Sequence, residues 1–155
     1  MKKKKTRILI VDDDKSICRT LSLFLERKGY ETDTAYTGKE AIEKSKTKVY
    51  NVALLDIKLP DIEGTKLLVT MRETTPKMVK IMITGYPSLR NAIQALKWGA
   101  EDYMMKPIDP KELVKVIEEK LQEQEEAEIM TEEKIRGFIE TRTQKLLQTA
   151  PAHAE

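Results

Sequence analysis

Four apolar stretches of this chain each end on a polar residue. Ile8-Leu9-Ile10-Val11 runs into Asp12-Asp13-Asp14, and Val49-Tyr50-Asn51-Val52-Ala53-Leu54-Leu55 runs into Asp56. Val79-Lys80-Ile81-Met82-Ile83 runs into Thr84, and Tyr103-Met104-Met105 into Lys106-Pro107. Short apolar runs rich in Val, Ile and Leu predict strands covered on both faces. Between them the period changes. Ser16–Lys28 carries Ile17, Leu21, Phe24 and Leu25 at helical spacing and stops at Gly29, and either Asp14 or Ser16 can cap its first turn. Glu31–Ala35 predicts a short polar strand near a sheet edge, and Lys39 to Lys46 a helix. After Leu59-Pro60-Asp61-Ile62-Glu63-Gly64, a helix passes through Leu67, Leu68 and Met71 until Thr74-Thr75-Pro76 breaks it. Pro87 is placed to open a helix through Leu89, Ala92, Ile93 and Leu96, closed by Gly99, with Trp98 packing at its end. Pro110 is placed to open another through Leu113, Val114, Ile117 and Leu121.

Five strand–helix units in about 120 residues predict a doubly wound α/β domain around a parallel sheet. Ligands of such sheets bind in the crevice outside the carboxyl ends of the strands. Acids, a hydroxyl and a lysine from four separate segments therefore converge on one cleft. Beyond Leu121 the pattern differs. Gln122–Met130 is polar and Glu-rich with no helix breaker, and Thr131-Glu132-Glu133 reads as a restart signal with acids at a positive helix end. Ile135, Phe138, Ile139 and Leu146 then repeat on one face. That stripe suits first of all folding back onto the first domain or pairing in a dimer, the commoner use of such a stripe, and otherwise a partner-binding helix ordered on contact. Thr149 to Glu155 reads as a frayed end. The division expected is a domain over residues 6–122 and a helical extension over 123–155. About thirty residues are too few for a helix-turn-helix module, so no DNA-binding domain is expected.

Composition narrows the function. The 155 residues are 40% hydrophobic and 35% charged, enough for a real core under a well-solvated surface. A net charge of +2 favours neither nucleic acid nor membrane as a bulk partner. The charge is nonetheless zoned: Lys2 to Lys5 and Arg7 open the chain, and Glu118 to Glu133 holds eight glutamates against one lysine. Both zones read as solvated surface. Cys18 is the only cysteine, so no internal disulfide forms and a reducing compartment fits. His153, the only histidine, stands in a polar end segment, which removes histidine metal clusters and Ser-His-Asp catalysis. The apolar run after the basic start is four residues long. A signal peptide needs roughly 7–15 and a membrane span about 18 or more. A cytoplasmic protein is expected.

Several carboxylates in one cleft are unfavourable unless a positive charge offsets them. A hard divalent cation does so, and Mg²⁺ takes one or two carboxylates together with waters and phosphate oxygens. Asp12, Asp13 and Asp56 meet that demand, Lys106 adds a point charge for a phosphoryl oxygen, and Thr84 adds a hydroxyl donor. No Gly-rich loop is present to cradle a nucleotide, so the cleft suits a small phosphoryl group and not ATP.

Taken together, Val11-Asp12-Asp13-Asp14, Leu54-Leu55-Asp56-Ile57-Lys58-Leu59-Pro60 with Gly64, Ile83-Thr84-Gly85-Tyr86 and Tyr103-Met104-Met105-Lys106-Pro107 resemble the receiver domains of two-component response regulators. The resemblance covers roughly Thr6 to Gln122. It implies a flavodoxin-like sheet of strand order 2-1-3-4-5 with helices on both faces. It also implies phosphoryl transfer from a sensor histidine kinase, or a phosphotransfer protein, to Asp56. Asp13 would ligate Mg²⁺ directly and Asp12 mostly through water, with Asp56 and the Lys58 carbonyl completing the protein ligands. Lys106 and Thr84 would contact the phosphoryl group, and Tyr103 matches the family's switch aromatic. Lys58 and Tyr86 hold the positions that tune the lifetime of the phosphoryl group. Output would pass through the surface of the fourth helix, fifth strand and fifth helix to an unknown downstream protein, or to a second copy in a homodimer. Such a protein catalyses only its own phosphorylation and dephosphorylation.

Two other functions compete. A haloacid-dehalogenase-type aspartyl-phosphate hydrolase would use Asp12 and Asp14, but it leaves Asp56 and Pro60 unexplained and expects an acidic pair where only Asp109 follows Lys106. A flavodoxin-like electron carrier shares the sheet, but Asp12-Asp13-Asp14 would repel a flavin phosphate.

Overall fold

The computed structural model describes residues 5–85 and 88–149. Five strands alternate with five helices: β1 (Arg7–Val11), α1 (Lys15–Arg27), β2 (Glu31–Ala35), α2 (Gly38–Thr47), β3 (Val52–Asp56), α3 (Gly64–Thr74), β4 (Val79–Thr84), α4 (Leu89–Lys97), β5 (Asp102–Met105) and α5 (Pro110–Thr149). All strand pairs are parallel and the order is β2-β1-β3-β4-β5. This is the doubly wound parallel sheet that the alternating pattern predicts, in the flavodoxin-like order that the resemblance implies, with the polar strand β2 at an edge.

Side chains alternate across a strand, so each central strand feeds two cores. Leu9, Val11, Ala53, Leu55 and Met82 join Ala41 of α2, Leu67, Leu68 and Met71 of α3 and Ala95 of α4 in one buried cluster. The alternate positions Ile8, Ile10, Leu54 and Ile81 are buried as well, as are Cys18, Leu21 and Leu25 of α1 and Leu113 and Ile117 of α5. Each full burial contributes roughly 1.5–3 kcal/mol, and the strands carry the densest share of it. Local chemistry sets the helix starts. Asp14 caps α1 by accepting from the Ser16 and Ile17 amides, Thr37 caps α2, and Ser88 caps α4. Gly29 and Gly99 take the positive φ that ends α1 and α4.

Several expectations are corrected. The third strand starts at Val52, not Val49. Tyr50 donates through its hydroxyl to Asp33 Oδ2 at 2.6 Å, and Asn51 exchanges hydrogen bonds with the Arg7 backbone. These contacts turn the chain there and leave Val49 80% exposed. No helix restarts at Thr131, because α5 continues from Pro110 to Thr149. The Thr131 hydroxyl donates to the Ala127 carbonyl at 2.9 Å, so it bonds back into the preceding turn and caps nothing. Trp98 does stand at the end of α4, as its C-cap, but remains substantially exposed. The expected opening of α4 by Pro87 and the frayed end after Thr149 lie outside the described residues. Two compact units divide the chain, one up to Lys120 and the other from Leu121. Within the second unit Ile135, Phe138, Ile139 and Leu146 are all more than half exposed. No helix among the described residues is long and apolar enough to cross a membrane.

Candidate functional site

The site lies at the carboxyl ends of β1, β3, β4 and β5, where each strand releases its chain into a loop. Asp12 follows β1, Asp56 closes β3, Thr84 closes β4, and Lys106 follows β5. Burial there is extreme for charged residues: Asp12 is 4% and Asp56 6% exposed, whereas Asp13 faces solvent. Carboxylate oxygens of Asp12, Asp13 and Asp56 all lie within 4.8 Å of one another. Lys106 Nζ sits 2.7 Å from Asp12 Oδ2 and 3.3 Å from Asp56 Oδ2. Three carboxylates thus face one ammonium, which leaves a surplus of negative charge. The donor set is all hard oxygen with that surplus beside it, and this fits a divalent cation such as Mg²⁺.

Electrostatics of the acids follows from this packing. Burial, and then the neighbouring Asp12 carboxylate, push the Asp56 carboxyl up from its ordinary range, while Lys106 and the Lys58 amide pull it partly back. Burial pulls the Lys106 ammonium down, but its hydrogen bond and charge pairing with Asp12, reinforced by Asp56, outweigh that and raise it overall. Lys106 therefore stays cationic between the two carboxylates. The Asp12 carboxylate also accepts from the Asp14 amide at 2.9 Å, which fixes its rotamer.

The loop after β3 is unusually confined. The Lys58 amide donates to Asp56 Oδ1 at 3.3 Å, and Lys58 and Glu63 form an isolated antiparallel bridge. Gly64 donates to the Ile57 carbonyl at 2.7 Å, and a Cβ on Gly64 would come within 2.4 Å of the Asp56 carbonyl oxygen. Only glycine permits that approach. Thr84 is fully buried, and its carbonyl accepts from the Lys106 amide at 2.7 Å, tying the β4 and β5 ends together. The Lys106–Pro107 peptide bond is cis.

Asp12, Asp13 and Asp56 are therefore in mutual reach and Lys106 bridges Asp12 and Asp56, with Lys58 and Thr84 on the adjoining backbone. Tyr103 stands apart from them on β5. Its ring packs against the cluster that holds Leu55 and Met82, and its hydroxyl is buried with no hydrogen-bond partner among the described residues. Tyr86 lies outside the described residues. Asp14 is committed to the α1 cap, with its carboxylate 2.9 Å and 3.2 Å from two amides, which counts against the hydrolase that needs it as acid and base. Asp61 escaped the sequence reading. Its carboxylate accepts from the amides of Gly38 and Lys39, more than twenty positions away, and no local motif announces a contact of that separation.

Known proteins match both the sequence and the fold. The model of the response regulator receiver domain matches residues 8–118. The response regulator ArlR of Staphylococcus saprophyticus is 35% identical over 86% of this chain, and the chain spans 59% of that protein's length. A CheY-like receiver domain protein from Methanospirillum hungatei, known from its crystal structure, superposes with a TM-score of 0.78 at 48% identity, covering 80% of this chain and 99% of that one. A Burkholderia pseudomallei response regulator solved with a phosphorylated aspartic acid, calcium ion and citrate superposes with a TM-score of 0.71 at 27% identity, over 80% of this chain and 73% of that one. The chain belongs to the response-regulator receiver family of two-component signalling systems.

Proposed function

We propose that this protein is a phosphorylation-activated switch whose acceptor is Asp56, whose metal is Mg²⁺, and whose phosphodonor is a sensor histidine kinase or phosphotransfer protein. The observation that carries the reading is the buried Asp12–Asp56–Lys106 set with Asp13 at its solvent edge. The Burkholderia structure, with its phosphorylated aspartic acid, supports the same chemistry at Asp56. The receiver spans residues 6–122, and residues 123–155 make a Glu-rich extension that is helical as far as Thr149. The protein works in the cytoplasm and turns over no separate substrate.

The residues divide the work. Asp12, Asp13 and Asp56, with the Lys58 carbonyl, would hold Mg²⁺, which when bound offsets charge on the transferred phosphoryl oxygens. An Asp56 carboxylate oxygen attacks phosphorus as the phosphorus–nitrogen bond of the donor phosphohistidine breaks, and the bonding pair leaves on the imidazole. Lys106, shared between Asp12 and Asp56 beforehand, follows the new oxygens, and the Thr84 hydroxyl donates to one of them. An apolar groove of about 480 Å³ runs beside Lys106, lined by Ile17, Leu21, Pro107, Ile108 and Pro110. It offers the donor protein a seat within reach of Asp56.

Phosphorylation adds about −1.5 to −2 charge where a carboxylate stood. Movement of Thr84, which closes β4 ahead of α4, and of Lys106, which follows β5, toward that charge is passed to α4 and β5. Leu89, Ile93, Leu96 and Met105 leave this face apolar and exposed, the character of an interaction surface. A differential affinity of about 5.5 kcal/mol would swing the two states from 1:99 to 99:1, so a few kcal/mol is enough for signalling. Incubation with Mg²⁺ and acetyl phosphate, followed by peptide mapping, tests the assignment. A label on Asp56 that Asp56→Asn removes is expected; a label on Asp12, or one that survives in Asp56→Asn, overturns it.

A further inference from the structure

The first turn of α2 leaves amide groups that the helix itself cannot satisfy. Thr37 Oγ1 accepts from the Glu40 amide at 3.0 Å, and Glu40 Oε1 returns the favour to the Tyr36 amide at 2.7 Å. This reciprocal capping pair takes the third amide of the helix and leaves the first two. Those two, on Gly38 and Lys39, donate to Asp61 Oδ1 and Oδ2, each at 2.9 Å. The α2 start is therefore completed by a residue of the loop after β3, 23 positions from Gly38. The fit is close as well as polar. A Cβ on Gly38 would stand 2.1 Å from Ile62 Cγ2, so the missing side chain is what lets the loop lie against the helix. Ile62 and Leu59 also pack onto the buried cluster.

The same loop carries the Lys58 carbonyl. Its foot is fixed by Gly64 on Ile57 and by the Ile57 amide on the Ile83 carbonyl at 3.3 Å. Its crown, Leu59 to Ile62, has the Asp61 carboxylate as its polar anchor. The Lys58–Glu63 bridge closes the loop on itself, and the Asp61 carboxylate is the polar contact that ties the closed loop to α2. We propose that Asp61 is a positioning residue: by latching the loop to the α2 N-terminus it holds the Lys58 carbonyl in place for the divalent cation at Asp56. This rests on the Mg²⁺ site proposed above and extends it to a residue that touches neither metal nor phosphoryl group.

The experiment compares Asp61→Ala, Asp61→Asn and Thr37→Ala with the unaltered chain. Mg²⁺ affinity is read by titration calorimetry, and the Gly38 and Lys39 amide shifts by NMR without metal. Asp61→Ala and Asp61→Asn lose the same charge, but asparagine keeps one carbonyl acceptor. Asp61→Ala is expected to weaken Mg²⁺ binding several-fold and shift both amides upfield. Asp61→Asn should recover most of the affinity and one amide shift. Thr37→Ala uncaps the same helix without freeing the loop and should leave Mg²⁺ affinity unchanged. Equal affinities for Asp61→Ala and Asp61→Asn, or an effect of Thr37→Ala as large as that of Asp61→Ala, overturn the latch. If the unaltered chain binds no Mg²⁺, the proposed metal site fails, and the latch proposal with it.

Discussion

At the scale of single residues, buried polar groups show how the chain holds a charged site on an oily sheet. Away from the cleft the same physics is testable without a metal. Burial pushes the Asp33 carboxyl up, but hydrogen bonds from Tyr50 and Lys48 outweigh it, and the group ends below its ordinary range. The Tyr50 phenol moves upward in turn, first through burial and then through its bond to Asp33. A carboxyl depressed in the folded state stabilises the fold above its unfolded pKa, and that contribution fades as pH falls through the folded value. Tyr50→Phe deletes the 2.6 Å bond and keeps the ring. At neutral pH it should cost about 1–2 kcal/mol, since the acceptor is ionised and partly buried. In urea titrations from pH 7 down to strongly acidic buffer, the difference between the two proteins should shrink as Asp33 protonates. A difference that stays constant with pH would mean that Asp33 is not the acceptor that matters.

Among the elements, the sheet was legible because each run of apolar residues has a length and an end that only a buried strand satisfies. The ends also exposed the site: Asp12, Asp56, Thr84 and Lys106 stand where the runs stop. Contacts made at a distance were not legible. Nothing near Asp61 points to α2, and nothing near Tyr50 says that its hydroxyl will turn the chain before β3. Lys80 is the sharpest case. It reads as a polar interruption of an apolar strand, yet it is 1% exposed. Its Nζ donates to the Thr75 carbonyl at 2.6 Å beyond the end of α3, and burial lowers its pKa. The Thr75 carbonyl also accepts from the Met78 amide at 3.2 Å, so it would not be orphaned without the lysine. Lys80→Met keeps the stem's volume and removes the desolvated charge, so its stability should stay within about 1.5 kcal/mol of the unaltered chain. Lys80→Ala empties the space and should cost about 2–4 kcal/mol. Equal losses for the two would show that the ammonium, not the stem, is what the site requires.

For the molecule as a whole, the question is where a change at Asp56 is felt. The domain has two sides that differ in how they are tied to the cleft. On one side β2 and α2 are held by contacts outside the Asp12–Asp56–Lys106 set: the Asp33–Tyr50 bond, the Thr37–Glu40 pair and the Asp61 carboxylate. On the other, β4 and β5 meet at Thr84 and Lys106, the two groups expected to follow the phosphoryl oxygens. Tyr103 on β5 keeps a buried hydroxyl with no partner among the described residues, so none of them locks its inward packing through a hydrogen bond. Response should therefore be one-sided. Amide hydrogen exchange with Mg²⁺, before and after addition of acetyl phosphate, should change most in α4 and β5 and little in β2 or the first turn of α2. The same comparison in Asp56→Asn should show no change on either side. A response spread evenly over both sides would mean that the bonds around α2 do not brace it, and that Thr84 and Lys106 are not the route by which the signal leaves the cleft.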